Sequence, residues 1–87
     1  MFEIELTDTT QRFYDQAPKP LIKKLDRCFE QLRHNPLRHP NIKALTHALA
    51  GRFRYRVGDY RVIYRVDHAR RLVSVIAIGH RSEIYDG

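Results

Sequence analysis

"GRFRYRVGDYRVIYRVD", residues 51–67, holds five arginines within fourteen positions. Arg52, Arg54 and Arg56 alternate with Phe53, Tyr55 and Val57, and Arg61 and Arg65 follow a Gly58-Asp59 pair. A period of two is the mark of a half-buried strand. Gly-Asp between two such runs signals a two-residue hairpin loop, because Gly58 takes the positive φ the turn needs. That loop length sets the register. Val57 faces Tyr60, Arg56 faces Arg61, Tyr55 faces Val62, Arg54 faces Ile63, Phe53 faces Tyr64, and Arg52 faces Arg65. One face is then wholly apolar or aromatic and suits packing on a helix. The other carries the five arginines and Ile63. Directly opposed arginines repel by a few tenths of a kcal/mol or more. Either they splay into water, or an anion sits between them.

The next strand pattern is "LVSVIAIGHR", residues 72–81. Strict alternation groups Leu72, Ile76 and Ile78 with Ser74 and His80, and Val73, Val75, Ala77, Gly79 and Arg81 on the other face. Turning the larger residues to the core leaves Ala77, Gly79 and Arg81 beside the arginines. Small residues there leave room for a ligand, and Gly79 allows close backbone approach. Tyr85 follows four residues after Arg81 and is placed to fold over the face. Guanidinium groups for a phosphate backbone and a ring for base stacking are the equipment of single-stranded nucleic-acid binding.

Working towards the N-terminus, residues 36–50 carry two prolines and no sustained period. They read as a connecting segment packed down through Ile42, Leu45 and Leu49. Before it lies an amphipathic helix, with Leu21, Ile22, Leu25, Cys28, Phe29 and Leu32 on one face and charged residues on the other. His34-Asn35-Pro36 ends it, since the residue before proline disfavours helical dihedrals. A shorter helix runs from Asp8, read as its cap with Gln11 three residues later, to about Gln16. "FEIEL", residues 2–6, is a half-buried strand. The order predicts one α+β domain over residues 1–87: an N-terminal strand, two helices, then a three-stranded antiparallel meander over about 52–57, 60–66 and 72–79.

Composition narrows the functional classes. The formal net charge is +6, from 12 Arg and 4 Lys against 10 acids, and from residue 51 onward there are 8 Arg, no Lys and 4 acids. Arg presents a planar fork suited to bidentate phosphate contact, so a polyanionic partner is expected. The single cysteine, Cys28, excludes an internal disulfide and fits a reducing cytoplasm. No apolar run reaches membrane-spanning length and the N-terminus has no signal-peptide pattern, so a soluble cytoplasmic protein is expected. His34, His39, His47 and His68 have no metal-ligand spacing, and no metal or cofactor is expected.

"LAGRFRYRVGDYRVIYRVD" followed by "VSVIAIGHRSEIY" resembles the RelE/ParE superfamily of bacterial toxins from toxin–antitoxin pairs. The likeness is closest over residues 44–85; over 1–43 it is the pattern of strand, two helices and Asn-Pro. The resemblance implies a ribosome-dependent endoribonuclease that enters the decoding site and cuts messenger RNA without a metal. The 2′-hydroxyl attacks the neighbouring phosphate and leaves a 2′,3′-cyclic phosphate. It also implies two partners: the ribosome with messenger in the A site, and a cognate antitoxin. Matched residue by residue, the catalytic set is Arg54, Arg56, Arg61, Arg81 and Tyr85; Arg52 and Arg65, on the same expected face, and His80 are expected as further RNA contacts. Arg54 and Arg56 stand where typical RelE proteins have lysines. Arginine stabilises charge but effectively cannot accept a proton, so the base comes from elsewhere, with His80, Glu83 and solvent as the candidates. ParE-type members inhibit DNA gyrase, and that reading stays open, as does a non-catalytic RNA-binding module.

Overall fold

A computed structural model describes residues 1–84. Strand β1 (Glu3–Leu6) leads into helices α1 (Asp8–Gln16) and α2 (Lys19–His34). A short strand β2 (Ile42–Ala44) follows, then a 3₁₀ turn at His47–Leu49, and then β3 (Phe53–Val57), β4 (Tyr60–Asp67) and β5 (Leu72–His80). The five strands form one sheet in the order β1-β5-β4-β3-β2. β1 runs parallel to β5 and the other pairs are antiparallel. The α+β class and the β3–β4–β5 meander are as expected. β2 falls inside the expected connecting segment: three residues are too few to show a period. Its pairing with β3 makes the sheet five-stranded, and Leu45 just beyond it is buried.

Both helices lie on one face of the sheet. α2 buries Leu21, Leu25, Cys28, Phe29 and Leu32 against Tyr55, Val57, Val62, Tyr64, Val73, Val75 and Ile78. Ile22 is only half-buried. The α1 cap is Thr7, not Asp8. The Thr7 hydroxyl accepts from the Thr10 amide at 3.2 Å, which leaves Asp8 in the first turn, where an acid favours the helix dipole. Thr10 is buried, and its hydroxyl reaches the Val75 carbonyl at 3.2 Å, fixing α1 to β5. Pro18 stands at the N-cap position of α2 without a side-chain bond, and Pro20 sits in its first turn, where the missing amide costs nothing. Asn35 ends α2 with Pro36 behind it, and its side-chain oxygen accepts from the amides of Leu37 and Arg38.

The centre of the core is aromatic and polar-tipped. Tyr64 is fully buried, and its hydroxyl donates to the Pro36 carbonyl at 2.7 Å. Burial pushes that hydroxyl's pKa up, and does the same to the Cys28 thiol. Both groups are held neutral.

The β3–β4 register follows the sequence reading at five pairs, from Val57↔Tyr60 to Phe53↔Tyr64. Gly58 has φ +58° and Asp59 has no positive φ, the distribution of a type II′ turn. The sixth expected pair, Arg52 with Arg65, does not form. Arg52 lies before β3, and its amide and carbonyl bond to Leu49 and Leu45 instead.

β5 departs further from expectation. Between Ile63↔Ala77 and Tyr64↔Val75 the register shifts, leaving Ile76 as an extra residue. A one-residue slip exchanges the two faces of a strand. Val73 and Val75 therefore face the core with Ile78, while Leu72 and Ser74 face the arginine side. Strict alternation places Leu72 and Ile76 in the core and the two valines opposite. The bulge lets all three of Val73, Val75 and Ile78 be buried, which no unbroken period of two allows.

Candidate functional site

Directly paired residues in a sheet share a face, so the register assembles the site. Arg56 lies opposite Arg61, and Arg61 opposite Gly79. Arg54 lies opposite Ile63 on one side and Lys43 on the other. Ile63 pairs in turn with Ala77, and Arg65 pairs with Ser74, which pairs with Glu5 of β1. The face away from the helices is therefore basic at the β2–β3–β4 end and acidic at β1, where Glu3 and Glu5 are exposed.

The arginines are held differently. Arg61 is half-buried, and its Nη1 donates to the carbonyls of Gly58 and Tyr60, both at 2.9 Å. Its charge is drawn to the hairpin turn, which eases its repulsion with Arg56. Arg54 is half-buried and donates from Nη1 to the Asn41 carbonyl at 3.3 Å. Arg56 is exposed, and its backbone amide donates to the same carbonyl. Arg81 follows β5 in a turn, with its side chain 64% exposed. Its amide donates to the Asp59 carbonyl at 2.8 Å, and its Nε lies 3.8 Å from Asp59 Oδ1. The hairpin tip thus collects Arg61 directly and Arg81 through Asp59. Arg65 is exposed on the same face but four residues, about 13 Å, along the strand from Arg61. Arg52 stands outside the strand.

His80 is on the other face. It pairs with Tyr60, and the two rings meet edge-on with centroids 5.6 Å apart. Its Nδ1 accepts from the Ser82 amide at 3.2 Å and lies 2.8 Å from the Ser82 hydroxyl. Parity in the sequence already places it core-side, and the bulge lies upstream of it, so the last residues of β5 keep the expected faces.

The room expected over Gly79 is filled by the chain itself. The amides of Glu83 and Ile84 both return to the His80 carbonyl. Ile84 packs so closely that a Cβ on Gly79 would lie 2.9 Å from its Cγ1. Gly79 admits the C-terminal turn to the arginine face beside Arg61. Tyr85 lies outside the described residues.

Two features escape the sequence reading. Lys43 joins the arginine face through β2, and Ile42-Lys43-Ala44 is too short to be legible as a strand. A cleft of about 230 Å³ between α2 and β3 is lined by Lys24, Arg27, Asn41 and Arg56 over Tyr55 and Val57. A second, of about 250 Å³, adjoins it at Lys24 and Val57 and reaches Pro18, Leu21 and Tyr60. No pattern along the chain links α2 cations to a hairpin thirty residues later. Among the described residues, no group of three or more His, Cys, Asp or Glu side chains is gathered for a metal, and no helix is long and apolar enough to cross a membrane.

This arrangement, two helices on one face of a five-stranded sheet and a basic hairpin face on the other, is the fold of RelE-like toxins. A chain of the RelBE2 toxin–antitoxin complex from Mycobacterium tuberculosis superposes with a TM-score of 0.80 at 30% identity, covering 92% of this chain and 98% of that one. A chain of the archaeal RelE–RelB complex from Pyrococcus horikoshii OT3 gives 0.81 at 19% identity, a likeness of fold, over 95% and 98%. In sequence, Toxin RelG of M. tuberculosis is 33% identical over 85 residues, spanning 97% of this chain and 95% of that protein. The family model described as ParE toxin of type II toxin–antitoxin system, parDE, matches residues 4–85. The chain belongs to this family of toxins, within the RelE/ParE superfamily.

Proposed function

We propose that this toxin is a ribosome-dependent endoribonuclease that cuts messenger RNA in the A site and so stops translation. The observation that carries the reading is the Arg56–Arg61 pair, directly opposed on a solvent-facing sheet with Arg54 alongside. Opposed guanidinium groups repel, whereas a phosphate between the two turns that repulsion into attraction. The substrate's 2′-hydroxyl is the nucleophile and the adjacent phosphate the centre attacked. Arg56 and Arg61 clamp the non-bridging oxygens, where charge develops, and Arg54 assists. Preorganised donors aimed at developing charge usually lower the barrier more than any other single device in such catalysis. Arg81, tied to the hairpin tip through Asp59, is a further donor to the same phosphate. Tyr85 stacks on or polarises the substrate.

The ribosome supplies what the small sheet lacks. A small sheet positions a flexible strand poorly by itself, and positioning contributes about 7–11 kcal/mol of barrier lowering. Purified toxin is therefore expected to leave naked RNA largely intact. The partner in the resting cell is a cognate antitoxin, as in the RelBE2 complex that the chain resembles, and the setting is the cytoplasm. The test is to induce the chain in cells and map messenger 5′ ends. Breaks at fixed codon positions within translated frames support the proposal. Intact messages with gyrase-dependent DNA breaks replace it with a ParE-type gyrase poison. That second reading draws on the family match and on arginine standing at both lysine positions.

A further inference from the structure

Arginine at positions 54 and 56 leaves the arginine side of β3 without a group that can move a proton. A guanidinium keeps its protons at any working pH, whereas an ammonium can release one. Of the four lysines, Lys19 and Lys23 lie on α2, packed on the opposite side of the sheet, and Lys24 of the same helix lines the α2–β3 cleft with Arg56, close to Gly58 at the hairpin turn. The fourth, Lys43, is in β2 directly across from Arg54. Paired side chains share a face, so Lys43 stands among the arginines and is exposed. Opposed Cβ atoms lie roughly 4.5–5.5 Å apart and diagonal neighbours about 7–8 Å, within reach of long side chains. By that measure Lys43 is adjacent to Arg54 and diagonal to Arg56. Among the described residues, His80 is on the helix side against Tyr60, Asp59 is at the hairpin tip with Arg81, Glu83 is in the turn after β5, three strands from β2, and Glu3 and Glu5 are at the far edge on β1.

We propose that Lys43 is a catalytic residue, the proton donor to the leaving 5′-oxygen. The inference rests on the nuclease reading above. The 2′-oxygen–phosphorus bond forms and the phosphorus–5′-oxygen bond breaks. The 2′-proton passes to solvent, the Nζ proton passes to the 5′-oxygen, and water reprotonates the amine. The arginines hold the charge, and Lys43 prevents the departure of an alkoxide. Its place on the outermost strand gives its side chain access to the leaving group from the sheet edge, where no further strand covers it among the described residues.

A competing role is purely structural. Lysine on an edge strand is a common device against edge-to-edge pairing of sheets. Arginine would serve that purpose equally, which makes Lys43→Arg the discriminating variant. Single-turnover cleavage is measured on ribosome complexes holding a message with its susceptible codon in the A site. A second message carries sulfur in place of the scissile 5′-oxygen, so that the leaving thiolate needs no proton. Lys43→Arg is expected to cut the ordinary message about a hundredfold more slowly or worse, the usual range for loss of a general acid. On the sulfur message it should match the wild type within about threefold, an indifference that follows from removing the need for the acid. An unchanged rate on the ordinary message overturns the proposal, as does an equal slowing on both. If the wild type cuts neither message, the nuclease reading itself fails. A cut ordinary message isolates the question of Lys43.

Discussion

Arg56 and Arg61 oppose each other, but only Arg61 is bonded to the turn, and this separates two substitutions that the sequence treats alike. Arg56→Ala removes one of two repelling charges from an exposed position. Its melting temperature should hold or rise slightly while toxicity in cells falls by at least about tenfold. Arg61→Ala also forfeits two hydrogen bonds to the Gly58 and Tyr60 carbonyls, so a modest loss of stability accompanies its loss of toxicity. A clear melting-temperature drop in Arg56→Ala would make that residue structural and remove it from the site. The buried neutral groups give a pH signature of their own. Cys28 and Tyr64 have raised pKa values in the folded state, so the unfolded chain releases their protons first. Their contribution is fully present below the unfolded thiol value, about 8.5, and is lost as pH rises towards the folded values. Each suppressed ionisation removes about 1.4 kcal/mol per pH unit. Denaturant titrations should show stability falling from about pH 8.5 in the wild type, and from about pH 10, where tyrosine takes over, in Cys28→Ala. The same onset in both would mean that the thiol is accessible to water.

Among the elements, the end of β5 does the most for the site. Gly79 has an ordinary backbone conformation, so its lack of a Cβ matters for contact alone. Gly79→Ala forces Ile84 and the turn carrying Arg81 off the arginine face, because the clash is with Cγ1 near the base of the Ile84 side chain. Toxicity should fall sharply while melting temperature drops by only a few degrees. The outcome reverses if the turn is a passive tail: near-normal toxicity would show that neither Arg81 nor the chain beyond it needs this placement. The Thr7 cap is a control on the helix side of the sheet. Thr7→Ala should cost about 1 kcal/mol in equilibrium unfolding and leave any cleavage pattern unchanged.

At the scale of the molecule, charge and shape suggest how the toxin is silenced. The cleft between α2 and β3 is ringed by Lys24, Arg27 and Arg56 and runs into an apolar floor at Leu21, Val57 and Tyr60. Arg56 belongs to both the cleft and the arginine face, so an acidic amphipathic antitoxin segment lying there would also occlude an arginine of the proposed phosphate clamp. If such a segment binds the folded toxin alone, it should stabilise it by about 2.7 kcal/mol at a hundredfold excess over its Kd. Association should be fast at low salt and slow markedly as salt is raised, because steering acts through screened charges. Coexpression with each neighbouring gene product, followed by copurification and stopped-flow association at several ionic strengths, measures both. A partner whose association ignores salt would point to an apolar interface elsewhere on the surface.

The local patterns carried much of this protein. Alternation around Gly58-Asp59 determined the hairpin, its register and the segregation of arginines from aromatics, because two-residue loops admit few geometries and a strand repeats every two residues. The amphipathic spacing from Leu21 to Leu32 likewise determined which face of α2 is buried. Three things were decided only in the tertiary structure. The bulge at Ile76 exchanged the faces of the first half of β5, since burying Val73, Val75 and Ile78 together outweighs an unbroken ladder. β2 became a strand because β3 offered a free edge, not because three residues prefer to be extended, and that pairing brought Lys43 to the face. Ile84 filled the space over Gly79, a contact set by where the turn after His80 returns. Each depends on residues far apart in the chain meeting in space, and no local period records such meetings.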